Sequence, residues 1–177
     1  MKIIQAPEDY IASEQEIPCF MAGCLQRSEW QEEFLSELSQ YDLDKLVVYN
    51  PKRAYFDSKD LVLQQNQIEW EFKYLNMYLN RPYIFSLYFD ESVSDQPMHF
   101  YELGRYLSLM QSENALSSAV VSVHPLFHRR LDILMQVQLV AGLELMPILC
   151  TPTHHAQKVR IRYRILEAEQ KRRNLFQ

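Results

Sequence analysis

Glu102 is the residue whose type and setting best suit chemistry. It stands in Phe100-Tyr101-Glu102-Leu103-Gly104, early in a segment of helical spacing that follows the strand-like run Tyr83 to Phe89. Free amides and the positive end of a helix dipole favour an ionised acid at such a place, so the position predicts a carboxylate that is anionic at neutral pH. An anionic carboxylate at a strand-to-helix turn can meet an oxocarbenium-like centre as nucleophile or as electrostatic stabiliser. Compensation of the dipole alone would also explain an acid there. Other chemistries lack their residues. The chain has three glycines and neither GxGxxG nor GxxxxGK[ST], no HExxH and no GxSxG elbow. His154 and His155 adjoin Pro152 without a third ligand nearby, and are expected as exposed loop histidines rather than a metal site.

The elements that must position Glu102 are strands alternating with helices. Five apolar runs read as strands: Cys19 to Ala22, Leu46 to Tyr49, Tyr83 to Phe89, Ala119 to Val123 and Leu143 to Leu149. Trp30, Phe34, Leu35 and Leu38 form one helical stripe. From Pro97 to Met110 the set Met98, Tyr101, Leu103, Tyr106, Leu107 and Met110 makes another, with Ser94 or Asp95 available as N-cap. Leu131, Leu134 and Met135 continue the pattern. Such alternation predicts an α/β domain with a mainly parallel, five-stranded sheet covered by helices on both faces, its ligands beyond the carboxyl ends of the strands.

At 177 residues the chain fits one core better than two. The expected organisation is an extended lead-in over 1–18, the α/β domain over 19–157 and a basic segment over 158–177. That last segment carries net +5 against −10 for the rest of the chain. Its Val159, Ile161, Tyr163 and Ile165 alternate with basic residues, which leaves edge strand and helix both open. A solvated face packed on a neighbour is the expected reading of the charge, and phosphate or RNA contact the minority one. With a formal charge of −5 and pI near 5.5, nucleic acid is not the expected partner. Cys19, Cys24 and Cys150 lack CxxC spacing and suit reduced, buried thiols, hence a cytoplasmic protein. No apolar run is long enough to span a bilayer, so no membrane partner is expected.

Seven short motifs follow one another across residues 20 to 136: Phe20-Met21-Ala22-Gly23, Ser28-Glu29-Trp30-Gln31, Tyr49-Asn50-Pro51-Lys52-Arg53, Gln67-Ile68-Glu69-Trp70-Glu71, Tyr101-Glu102-Leu103-Gly104, Val123-His124-Pro125 and Arg129-Arg130-Leu131-Asp132. Each is weak alone. In this order they resemble the nucleoside 2-deoxyribosyltransferase-like family. The resemblance implies a flavodoxin-like, doubly wound fold and cleavage of the N-glycosidic bond of a nucleoside or nucleotide, with transfer to another base or to water. It makes Glu102 the nucleophile that forms a glycosyl-enzyme and matches Glu71 to the acid placed against the sugar or the leaving base. Neither a metal nor an organic cofactor is implied.

By the same resemblance Ala22, Gly23 and Cys24 form the sugar- and base-facing turn, where a missing side chain lets backbone approach a ligand. Asn50, Pro51 and Arg53 match a loop near the pocket, and Arg53 could hold a phosphate with its planar fork. Trp30 and Trp70 suit either core packing or stacking on a base. The family's acid shortly before the nucleophile has no firm counterpart, Asp90 and Asp95 both being near. His99, Phe100 and Tyr101 replace small residues that line the phosphate pocket of nucleotide-cleaving relatives, which favours a nucleoside or a bulky modified nucleotide. His124 and Arg130 match positions that meet neighbouring subunits, with Asp132 and Gln136 on one helix face, so a homo-oligomer is implied. Two rival readings are a non-catalytic nucleotide-binding or interaction module on the same fold and a nucleic-acid-associated factor using the basic segment.

Overall fold

The computed structural model describes residues 1–25, 29–77, 81–91, 96–110, 117–141 and 148–175. Among these, six parallel strands, β1 (Lys2–Gln5), β2 (Ile17–Gly23), β3 (Leu46–Asn50), β4 (Tyr83–Phe89), β5 (Ser117–Val123) and β6 (Ile148–Leu149), form one sheet in the order β1-β3-β2-β4-β5-β6. Helices α1 (Trp30–Ser39), α2 (Leu61–Asn76), α3 (Pro97–Met110), α4 (Arg130–Ala141) and α5 (Pro152–Leu175) alternate with them. From β2 onward this is the flavodoxin-like doubly wound order, to which β1 adds an edge strand. The sheet thus has one strand more than the five expected. Lys2 to Gln5, inside the expected lead-in, pairs in register with Val47 to Asn50.

The central strands are buried along their whole length because both faces are covered. Alternate side chains sort into two cores. Phe20, Ala22, Val47, Tyr49, Phe85, Leu87 and Phe89 pack beneath α2, α3 and α4 through Trp70, Tyr74, Leu103, Tyr106, Leu107, Ile133 and Val137. Cys19, Met21, Val48, Ile84 and Tyr88 pack beneath α1 and α5 through Trp30, Phe34, Leu38, Ala156, Val159 and Tyr163. Each of these large side chains stabilises the fold by roughly 1.5–3 kcal/mol when fully buried.

The basic C-terminal segment is helical. Its buried set His155, Ala156, Val159, Tyr163 and Leu166 keeps the 3.6-residue period. Ile161 and Ile165, which made the strand reading possible, are exposed. The expectation of two exposed loop histidines is corrected: His154 is exposed, but His155 lies wholly buried in the first turn of α5. Of the expected run Leu143 to Leu149, the sheet shows Ile148–Leu149, and residues 143 to 147 lie outside the described residues. Ser94 and Asp95 lie outside them too. No helix among the described residues is long and apolar enough to cross a membrane.

Candidate active site

From β2 the chain winds to β3 on one side and later crosses to β4 on the other, so the crevice of the fold opens at the carboxyl ends of β2 and β4. β2 ends there in Gly23 with φ +148°, a backbone conformation that L side chains rarely adopt. A Cβ at this position would stand 2.4 Å from the Trp30 ring and 2.6 Å from the Tyr88 carbonyl oxygen. The glycine is therefore required by close approach of α1 and β4. The Cys24 carbonyl accepts from Trp30 Nε1 at 2.9 Å and from the Gln31 amide, which fixes the turn.

On the opposite side of the crevice α2 and α3 lie next to each other over the sheet. Glu71 on α2 and Glu102 on α3 are close enough that the Glu71 carboxylate bears on Glu102 electrostatically. Burial first, then the Glu71 charge, push the Glu102 carboxyl up to about 8. Its Oε2 atom is shielded from solvent and has no hydrogen-bond partner. Burial also raises Glu71, opposed by a 2.6 Å hydrogen bond from Gln67 Nε2 and by the Arg53 guanidinium. The expectation of an anionic Glu102 at a helix start is thus corrected. α3 begins at Pro97, so Glu102 sits in its second turn, where the dipole has faded. Desolvation wins.

Gln67 organises the α2 side. It also donates to the Pro51 carbonyl at 2.8 Å, and its Oε1 accepts from Arg53 Nε. A cavity of about 380 Å³ adjoins this network, lined by Arg53, Lys52, Gln67, Ser58, Phe56 and Leu25 among others. Neither glutamate lines the cavity; Gln67 is its wall and Glu71 stands behind that wall. Asn50 is buried and accepts the Lys52 amide on its Oδ1 at 3.0 Å, bending the chain so that Lys52 and Arg53 reach the cavity.

His99 lies one turn before Glu102 on α3. It is half-buried against the Gly23 carbonyl and near Asp90, and desolvation pulls its pKa down to about 4 against both of these. The ring is neutral at physiological pH, with a buried Nδ1 that has no hydrogen-bond partner. Asp90, at the end of β4, accepts from Gln96 Nε2 at 3.0 Å.

Among the sequence candidates, the structure brings Glu71 and Glu102 together, reaches Arg53 through Gln67, and sets Gly23, His99 and Asp90 along the rim. Other candidates are occupied elsewhere. Trp30 is buried against Phe34 and Tyr88, and Trp70 against Phe20, Tyr49 and Tyr74, so both rings are core. Ala22 is buried within β2, and Cys24 contributes its carbonyl to the turn. His124 takes its amide to the Phe89 carbonyl at 2.7 Å and places Nδ1 3.7 Å from Glu91 Oε2, a contact beside the rim. No family model and no curated protein matches this chain. One site residue that the sequence reading gave no role, Gln67, was legible in principle: it is i−4 to Glu71, on its glutamate's helix face.

Proposed function

We propose that the chain is a nucleoside 2-deoxyribosyltransferase-like enzyme that cleaves the N-glycosidic bond of a (deoxy)nucleoside or nucleotide and passes the sugar to another base or to water. The observation that carries this reading is the desolvated Glu102 carboxyl, whose Oε2 is shielded and unpartnered, set against a second carboxyl, Glu71, at the switch point of a doubly wound sheet. A buried acid without partners costs stability and is kept where a ligand supplies what is missing.

Two coupled acids in one desolvated place favour holding one proton between them. Before substrate binds, Glu102 holds it readily. Sugar hydroxyls that donate to Glu102, and positive charge developing at C1′, favour its anion and leave the proton with Glu71. Glu102 then bonds to C1′ as the C1′–N bond breaks, and the departing base takes the proton from Glu71. An incoming base or water attacks C1′ of the glycosyl ester, yields its proton to Glu71 and releases Glu102. Incubation with a panel of nucleosides and monophosphates, with and without a second free base, tests the reading. Glu102-dependent base exchange or base release supports it; turnover that survives Glu102→Ala overturns it.

A homo-oligomer belongs to the same proposal. Leu131, Met135 and Leu139 form an exposed i, i+4, i+8 stripe on α4, and Ile68, Phe72 and Tyr101 are exposed on the neighbouring α2 and α3. A face this apolar suits a second copy better than water. The three cysteines are free and buried, which suits the reducing cytoplasm.

A further inference from the structure

We propose that the cavity beside Gln67 is an oxyanion subsite that takes the phosphate of a nucleoside monophosphate. This rests on the reading above and narrows its substrate class. Among the described residues the lining holds two cations, Lys52 and Arg53, and the Ser58 hydroxyl, but no carboxylate, in a chain whose formal charge is −5. Arg53 is only half used. Its Nε donates to Gln67 Oε1, while its Nη2 is buried with no partner. A buried guanidinium nitrogen without an acceptor is costly, and an oxyanion is the group that fits its fork.

The nearby acids do not fill this role. Asp60 spends its carboxylate capping α2, accepting from the Val62 and Leu63 amides at 2.9 and 3.1 Å. Glu32 reaches Lys52 at 3.1 Å from an exposed position, a pair that a multiply charged ligand can displace at small cost. Glu71 takes its hydrogen bond from Gln67 and feels Arg53 only through space. Gln67 therefore acts as a partition, with cations and the cavity on one side and the carboxyl pair on the other.

The arrangement matches the polarity of a nucleotide, whose anionic phosphate must avoid the two acids while its C1′ must meet them. Phe56 and Leu25 add apolar wall to the cavity. The phosphate is thereby held on the β3–α2 side. The rim at His99, Phe100 and Tyr101, too bulky for it, is left to the rest of the molecule.

The test is calorimetric titration of the full chain, with Glu102→Gln as background so that ligands are not consumed. The probes are the four deoxynucleosides, their 5′-monophosphates and inorganic phosphate. At least one monophosphate should bind about tenfold or more tightly than its nucleoside, and inorganic phosphate should compete with the monophosphate alone. Arg53→Met should erase the difference, read as the ratio of monophosphate to nucleoside affinity within that variant. Arg53→Lys should keep part of it, and Lys52→Met, at a half-exposed position, should weaken the monophosphate several-fold. Unchanged thermal melts show that the variants are folded. Equal affinity for nucleoside and monophosphate, a preference that survives Arg53→Met, or no binding of monophosphate and phosphate at millimolar concentration would each overturn the subsite. The two proposals fail separately. A phosphate preference without glycosidic cleavage retires the enzyme reading and leaves the subsite, whereas cleavage of nucleosides without a phosphate preference does the reverse.

Discussion

Beneath α1 and α5, His155 has both ring nitrogens 2.8 Å from a serine hydroxyl, Ser86 on β4 and Ser122 on β5, and is sealed between Phe34 and Tyr88. Beneath α2 and α3, Glu102 and His99 are half-buried side chains, and each keeps a shielded polar atom without a partner. Both clusters are titratable groups inside one sheet's cover, and only one is satisfied. A satisfied group ties elements together: His155 links α5 to two strands. An unsatisfied group costs stability until something binds. The difference separates a structural polar core from a site, and it is open to measurement.

The largest effect is expected at Glu102. Glu102→Gln keeps shape and removes the nucleophile, so turnover of a confirmed substrate should fall by at least about a thousandfold. The same variant should be more stable than the parent at neutral pH. With the folded carboxyl raised to about 8, the folded state keeps a proton that the unfolded chain gives up, so stability is full below the ordinary carboxylate range and declines as pH rises toward 8. Removing the ionisable carboxyl recovers on the order of a few kcal/mol at neutral pH. Thermal melts across that window check the sign, and a variant both less active and less stable would erase the contrast with His155. In the parent enzyme, kcat/KM should hold up to about pH 8 and fall above it, because ionising Glu102 in the free enzyme removes the one proton that the carboxyl pair must pass to the leaving base.

His155 should behave in the opposite way. Burial pulls its pKa down to about 3, so the folded state excludes a proton that the unfolded chain accepts. Its contribution is present above the ordinary histidine pKa and is lost as pH falls from there toward 3. His155→Ala leaves two serines unpaired and a cavity between aromatic rings, at a cost of about 3 kcal/mol or more. The loss should appear in denaturant unfolding, while the folded fraction retains its kcat and ligand affinity. An active-site phenotype in the folded variant would show that the two clusters communicate.

The sequence was informative about the frame and uninformative about this division. Parallel strands buried on both faces read as continuous apolar runs, so Tyr83 to Phe89 could be delimited from residue types alone. β1 escaped because Lys2-Ile3-Ile4-Gln5 is a short edge strand with one buried side chain. In α5, basic residues at alternate positions mimic a strand, and only the packing of Val159, Tyr163 and Leu166 settles the period. Glu102 could be picked out, but its protonation could not. That depends on how deep in α3 it lies and on Glu71, which sits 31 residues earlier in the chain. Desolvation is a property of the assembled cover, and no local spacing records it.

Gly23 and Gly104 extend the comparison to the backbone. Gly23→Ala would drive a Cβ into the Trp30 ring and the Tyr88 carbonyl in a strained conformation, and should cost about 2–4 kcal/mol, measured by chemical denaturation. Gly104 is the reverse case. It lies inside α3, where glycine costs about 1 kcal/mol relative to alanine, and a Cβ there would meet nothing within 4 Å.

The smallest predicted effect follows from that open space. Among the described residues nothing requires a glycine at 104, and its backbone lines a groove of about 500 Å³ between α3 and α4 with Ser108, Asp132 and Gln136. Gly104→Ala should therefore raise the melting temperature of the isolated chain by roughly 2–4 °C through helix propensity alone. If a second copy lays the Leu131, Met135 and Leu139 ridge of its α4 along this groove, the added methyl group holds the two backbones apart. Sedimentation equilibrium should then show weaker association even as the monomer gains stability. A variant that is more stable and associates as before would place the contact between copies elsewhere on the α2 to α4 face, and Leu139→Glu, which charges the exposed ridge without touching the groove, would then locate it.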